Sequence, residues 1–218
     1  MDELLSAAVR PIALRTLVVS GTATALAVLA GVPIGYVIAR YGFRGRTLIL
    51  SFINTGMGLP PVVVGLFVWL LLVRSGPFGA LDLVYTKTGM IAAQVLIALP
   101  VVIGFTTASF QALPPRLPDL LIVLGAGRVR TIWLMAAEAR LGLLVAVMGG
   151  FGAAVSEQSA SMIVGGNLER STRVLTTAIV TETSRGEVER ALALGLVLLA
   201  LAFLINLTLT ILQQRHRA

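Results

Sequence analysis

Apolar stretches long enough to cross a bilayer alternate along this chain with short polar gaps. Five runs stand out, at about 14–39, 47–73, 89–110, 141–164 and 190–212. A helix needs about 20 apolar residues to span a hydrocarbon core of roughly 30 Å. The pattern therefore predicts an all-α membrane protein, with residues 1–218 forming a single transmembrane domain of five spans and short connections. An odd number of spans puts the two chain ends on opposite sides.

Irregularities within the runs carry further expectations. The Gly31-x-x-x-Gly35 step, with Pro33 inside it, lets a second helix come close to span one. Span two is interrupted at Asn54-Thr55-Gly56-Met57-Gly58-Leu59-Pro60-Pro61, where two prolines remove two backbone donors. Such a break survives at membrane depth only where protein or a polar cavity satisfies the freed groups. Asn54, Pro60 and Pro61 are thus candidates for lining a pathway, with a plain structural kink as the alternative. Pro100 lies near the middle of span three, and Gly149, Gly150 and Gly152 loosen span four. The amphiphilic connection 111–140 is stopped by Pro114, Pro115 and Pro118 and restarts as a short helix over 119–135. The segment 165–189 reads as a polar connection.

Composition sharpens this picture. Of 218 residues 57% are hydrophobic and 12% charged, with a mean hydropathy of +0.94, which is too little charge to cover a soluble domain of this length. No cysteine is present, excluding disulfides and cysteine-ligated metals. The only histidine, His216, sits in a basic tail unsuited to a role as acid, base or ligand. The formal charge of +7 comes from sixteen arginines and one lysine placed in the gaps between apolar runs. That is the ordinary flank of membrane helices, so nucleic acid is not an expected partner. Nine of these cations fall on one side of the five-span topology and eight on the other, so their count does not orient the chain. Met1-Asp2-Glu3 without an A-x-A-like cleavage site predicts that the first run stays as an anchor.

Catalytic patterns are absent. The sequence has no G-x-x-x-x-G-K-[ST] phosphate cradle, no H-E-x-x-H and no G-x-S-x-G. Glu157, beside Ser156, is the one carboxylate well inside an apolar run. An ionised acid at the bilayer centre costs roughly 2.5–3.5 kcal/mol on insertion scales, so it must face protein or water. It stands either beside a translocation route or at an interface, or it bonds neighbouring helices. Arg170 and Arg173 are suited to concentrating an anion at a mouth or pairing with a partner protein, or simply to solvating a loop. The polar stretch Leu124-Gly125-Ala126-Gly127-Arg128-Val129-Arg130 is the best candidate for docking onto a separate engine, since the chain carries none of its own.

The segment from Asp119 to Glu138, D-L-L-I-V-L-G-A-G-R-V-R-T-I-W-L-M-A-A-E, resembles the cytoplasmic loop of ABC-importer permeases, E-A-A-x3-G-x9-I-x-L-P. Asp119 falls on the acidic position and Gly125 on the glycine. Leu120, Leu121, Met135, Ala137 and Glu138 depart from it. Leu59-Pro60-Pro61-Val62-Val63-Val64-Gly65-Leu66 and Arg74-x-Gly76-Pro77-x-Gly79 look like blocks of molybdate-type permeases. Ser156-Glu157, Met162-Ile163-Val164-Gly165-Gly166-Asn167 and Thr172-Arg173-Val174-Leu175-Thr176-Thr177-Ala178-Ile179 resemble the tungstate branch.

The resemblance implies a five-helix core of the type I, MetI-like kind with a cytoplasmic coupling helix between spans three and four. It places the protein in a prokaryotic inner membrane, N-terminus outside and C-terminus in the cytoplasm. It implies a permease homodimer, a cytoplasmic ABC ATPase dimer that alone binds ATP, and an extracytoplasmic oxyanion-binding protein. No cofactor or metal is implied for this chain. Asp119, Leu124, Gly125, Ala126, Arg128 and Arg130 would form the coupling lever, with Leu124 and Ala126 packing and Gly125 permitting close backbone approach. The implied cargo is tungstate, with molybdate or a sulfate-like oxyanion as alternatives. An ATP-independent secondary transporter is the rival mechanism.

Overall fold

The computed structural model describes residues 2–215; His216 and Arg217 lie outside the described residues. Ten α-helices and one 3₁₀ turn make up the described regular structure. Helix α1 (Asp2–Arg40) runs through Pro11 and Pro33 without ending. Helices α2 (Arg46–Met57) and α3 (Pro61–Leu72) follow, then the 3₁₀ turn Gly79–Leu81 and α4 (Lys87–Gln111). Next come α5 (Leu117–Val123), α6 (Arg128–Glu138) and α7 (Arg140–Val155). The chain continues through α8 (Ser159–Gly165) and α9 (Leu175–Ser184) to α10 (Val188–Arg215).

Three of these helices are long and apolar enough to cross a membrane alone, and the number rises to five if each bent pair is one span. The bent pairs are α2 with α3, at 104°, and α6 with α7, at 71°. The first break falls at Gly58, Leu59 and Pro60, where Pro61 opens α3 at a position that has no intrahelical donor to lose. Span two is thus two helices at nearly a right angle.

Helix α4 is the central element, packed against α1, α7, α2, α8 and α3. Its Thr86 cap, accepting from the Gly89 amide at 3.1 Å, fixes its start. Its closest neighbour is α1, and small residues make the approach possible. A Cβ at Gly31 would stand 2.8 Å from Val102 Cγ1, and one at Gly35 2.7 Å from Thr106 Cβ. In a bilayer, lipid tails are as apolar as leucine, so association rests on such close van der Waals packing. Ala27, Ala98, Val102, Ala146 and Ala154 form the buried cluster where α1, α4 and α7 meet. Helix α10 lies at the rim, with Leu192, Leu196, Leu199 and Phe203 exposed.

Two expectations from the sequence are corrected. The connection 111–140 holds two helices, not one continuous helix over 119–135, because the backbone turns left-handed at Gly125 (φ 84). The segment 165–189 contains α9, whose Leu175, Thr176, Thr177, Ala178 and Glu182 are buried. Its threonines satisfy local backbone groups, so a stretch that looks polar in sequence packs inside. The Thr177 hydroxyl, for example, accepts from the Val174 amide at 3.1 Å.

Candidate functional site

Two candidate regions lie along α1, one at its last residue, Arg40, and one at Arg15, thirteen residues in from its start at Asp2. Twenty-five residues of helix separate them, which is about 38 Å at 1.5 Å per residue.

At the Arg40 end, α5 and α6 form an elbow. Helix α5 ends in a Schellman turn: the Gly125 amide donates to the Ile122 carbonyl and the Ala126 amide to the Leu121 carbonyl, both at 2.9 Å. That turn needs a residue at positive φ, which glycine adopts without a Cβ penalty. Within this chain a Cβ at Gly125 would meet nothing within 4 Å, so its backbone angle, not crowding, demands glycine. Leu124 does not pack within the chain; it is 81% exposed, beside exposed Val123, Val129 and Trp133. Ala126 is half-buried. Asp119, in the first turn of α5, lies 3.7 Å from the Arg40 guanidinium.

Arg128 and Arg130 stand exposed in the first turn of α6, with no acidic residue in that turn. Positive side chains there oppose the helix dipole, at a cost of roughly 0.3–1 kcal/mol each, which an external anionic group would reverse. On its inner side α6 is anchored by Met135, buried with Phe110 and Ala139. The elbow therefore presents an apolar and basic outer surface on a well-anchored base.

A further break, after the bent α6–α7 pair, separates α7 from α8, and Glu157 occupies it. Its side chain is enclosed (4% exposed). One carboxylate oxygen accepts from the Ala160 amide at 2.7 Å; the other accepts from the Ser161 amide and hydroxyl, each at 3.0 Å. These are orphan donors at the start of α8, so the acid is consumed by the helix break. Gln94 of α4 donates to Ser161 Oγ at 3.1 Å, and Thr176 Oγ1 donates to the Glu157 carbonyl at 3.0 Å, tying α4 and α9 to the same point. Ser156 is exposed, as are Asn54, Pro60 and Pro61. Of the pathway candidates, these four are therefore exposed on the single chain, whereas Glu157 is enclosed within it.

At the Arg15 end, the loop between α8 and α9 folds onto α1. Arg15 donates to the Glu169 carbonyl at 2.6 Å and to the Pro11 carbonyl at 3.1 Å. Arg173 donates to the Glu169 carboxylate at 2.9 Å. The Leu175 amide donates to Thr16 Oγ1 at 2.9 Å, pinning the start of α9 to α1. Arg173 has only 12% of its side chain exposed, whereas Arg170 is exposed. Arg15 was not legible as a site residue, because a span starting at residue 14 makes it a mere flank. The helix in fact begins at Asp2.

A family model described as the binding-protein-dependent transport system inner membrane component matches residues 31–218. The chain belongs to this family. It is accordingly a transport component of a membrane. Among its relatives is the "Probable anion ABC transporter permease protein" of Haloferax volcanii, 40% identical over 196 residues, covering 88% of this chain and 84% of the relative. The tungstate uptake system permease protein TupB of Peptoclostridium acidaminophilum is 39% identical over 196 residues, covering 90% of this chain and 86% of the relative. In fold, the chain is similar to one in the inward-facing methionine ABC transporter MetNI. The TM-score is 0.78 at 15% identity, over 99% of this chain and 98% of that one. The MetI-like permease fold expected from sequence is therefore the fold observed.

Proposed function

We propose that this chain is the translocating subunit of an ATP-driven importer whose cargo is tungstate. The elbow at 124–130 is the observation that carries the reading. It combines exposed Leu124, Val129 and Trp133 with two arginines at a positive helix end, on a base anchored by Met135. A surface of that kind is costly in water and matches a groove that is apolar with an acidic rim. The partner is a cytoplasmic ATPase dimer, which supplies the phosphate-binding machinery that this sequence lacks and holds the ATP. The chain itself performs no catalysis.

In this reading the Arg40 end faces the cytoplasm and the Arg15 end faces outside, so the N-terminus is extracytoplasmic and the membrane is the inner one. Two copies pair, and the route runs between them along the exposed breaks at Leu59-Pro60 and Ser156. Closure of the ATPase dimer draws the elbows together. Helix α6 meets α7 at a 71° bend, and α7 packs against α4 and α1. Movement of the elbow is thereby transmitted into the spans. A separate binding protein delivers the oxyanion, and similarity to a tungstate uptake permease supports tungstate as that ion.

The test is uptake into proteoliposomes holding the permease with its ATPase, with the binding protein added outside. ATP-dependent accumulation of tungstate in preference to molybdate and sulfate is expected. Accumulation without ATP would make the chain a secondary transporter, and preference for molybdate would reassign the cargo.

A further inference from the structure

Three arginines and one carboxylate gather at the Arg15 end: Arg15 from α1, and Glu169, Arg170 and Arg173 from the loop between α8 and α9. Two of those guanidiniums converge on a single residue. Arg15 reaches the Glu169 carbonyl at 2.6 Å, while Arg173 reaches the Glu169 carboxylate at 2.9 Å. The carboxylate is paired with Arg173, while the Arg15 bonds go to the backbone carbonyls of Glu169 and Pro11, so the cluster carries more positive than negative charge. The match is also incomplete in hydrogen bonding, since Arg173 Nε is buried with no partner. A guanidinium presents five donors and pairs best with a ligand that accepts at two points. Glu169 satisfies Arg173 through one hydrogen bond, and its own side chain is 67% exposed and so is free to swing away.

We propose that Arg15 and Arg173 form a weak binding site for a tetrahedral oxyanion, with the Glu169 carboxylate as the resident counter-ion that the incoming anion displaces. The proposal rests on the oxyanion-importer reading and extends it by placing a way station on the permease itself. A doubly charged tetrahedral anion balances both guanidiniums and offers several acceptor oxygens to the unpartnered Nε. A carboxylate on a docking protein would not reach so enclosed a guanidinium as easily, and for this reason a small ion is favoured over a protein partner. Competition from Glu169 keeps the site weak, which a transport route requires, because an anion held tightly would not move on. The loop that carries the site is pinned to α1 by the Thr16–Leu175 bond and to the 164–166 region by the Thr172 hydroxyl, which donates to the Gly165 carbonyl at 2.5 Å.

The test uses the permease–ATPase complex in nanodiscs without binding protein, titrated with sodium tungstate. Removing one charge-assisted interaction in R15Q or R173Q should weaken binding by about tenfold or more. E169Q should tighten it severalfold, an outcome that misfolding cannot produce. Equal weakening in all three variants, or no binding by the wild type, overturns the site. Unchanged tungstate binding in R15Q and R173Q also overturns it; if ATP hydrolysis in these variants then fails to respond when binding protein is added in a second assay, the arginines belong to protein docking. The same variant order obtained only with molybdate or sulfate upholds the anion site while removing tungstate as the cargo.

Discussion

Arg40 and Asp119 face each other across 3.7 Å, joining the last residue of α1 to the first turn of α5. Asp119 is 76% exposed, so this pair belongs to the class worth about 0–1 kcal/mol. Its value is directional: it holds the start of the elbow against the helix that carries Arg15 farther back along its length. Charge reversal at Asp119, to Arg, should lower ATP-coupled uptake severalfold while shifting thermal stability by less than about 1 kcal/mol. Adding Arg40→Asp should restore uptake. Failure of the swap to restore it would show that Asp119 serves the partner ATPase instead.

At Gly125 the structure separates two kinds of damage. The position has φ 84 and open space around it, so a side chain meets strain rather than a clash. Gly125→Ala should cost about 1 kcal/mol locally, and Gly125→Val more, since β-branched residues tolerate positive φ worst. Both variants should insert in the membrane normally. ATPase association measured by co-purification, and stimulated hydrolysis, should fall in the order wild type, Ala, Val. Normal hydrolysis in the Val variant would remove the elbow from the coupling route.

Much of this was legible in the sequence because bilayer physics leaves few choices. Apolar length gives spans, and the Gly31–Gly35 step marks where α4 approaches α1. The Pro60-Pro61 pair marks the break in span two, but not its angle of 104°. Hydropathy could not place the break at Ser156–Gln158, because the residues on either side are as apolar as a continuous span. Glu157 was visible as an anomaly, yet two of the donors that bond it are backbone amides left free only because α7 has ended and α8 begins. Arg15 and Glu169 are separated by 154 positions, and nothing local to either suggests the other. Leu124 misled in the opposite direction: an apolar residue reads as packed, while the fold leaves it bare for a surface outside the chain.

Glu157 offers a stability test of that kind of break. Glu157→Ala would strand the Ala160 and Ser161 amides in an enclosed setting, each at a cost of about 1–3 kcal/mol. Glu157→Gln keeps one accepting oxygen and replaces the other with a donor aimed at a donor, so an intermediate loss is expected. Thermal unfolding in detergent and proteolytic cutting near residues 155–160 should both rank the variants as wild type, Gln, Ala. If both variants unfold like wild type but transport fails, Glu157 acts on the route and its bonds are incidental.

A helix contact that runs backbone against backbone supplies the last test. Gly65 of α3 sits against Ala160 of α8 so closely that a Cβ on it would stand 2.5 Å from the Ala160 α-carbon and 2.9 Å from its β-carbon. Backbone cannot rotate out of the way as a side chain does, so any substituent must push α3 off α8. That movement would also open the cluster of Val64, Val68, Ala93, Ala160 and Val164. Overpacking of this kind typically costs about 1–3 kcal/mol and occasionally more. Gly65→Val should therefore reduce the amount of folded permease recovered from membranes. Gly21→Ala should not, because a Cβ at Gly21 meets nothing within 4 Å and alanine gains helix propensity of about 1 kcal/mol over glycine. A compensating Ala160→Gly removes the clashing methyl group but leaves the backbone of α8 in the way, so it should rescue Gly65→Ala better than Gly65→Val. Equal recovery of all these variants in a thermal melt would mean that α3 and α8 part freely in the membrane, and that their packing is not what holds the broken span in place.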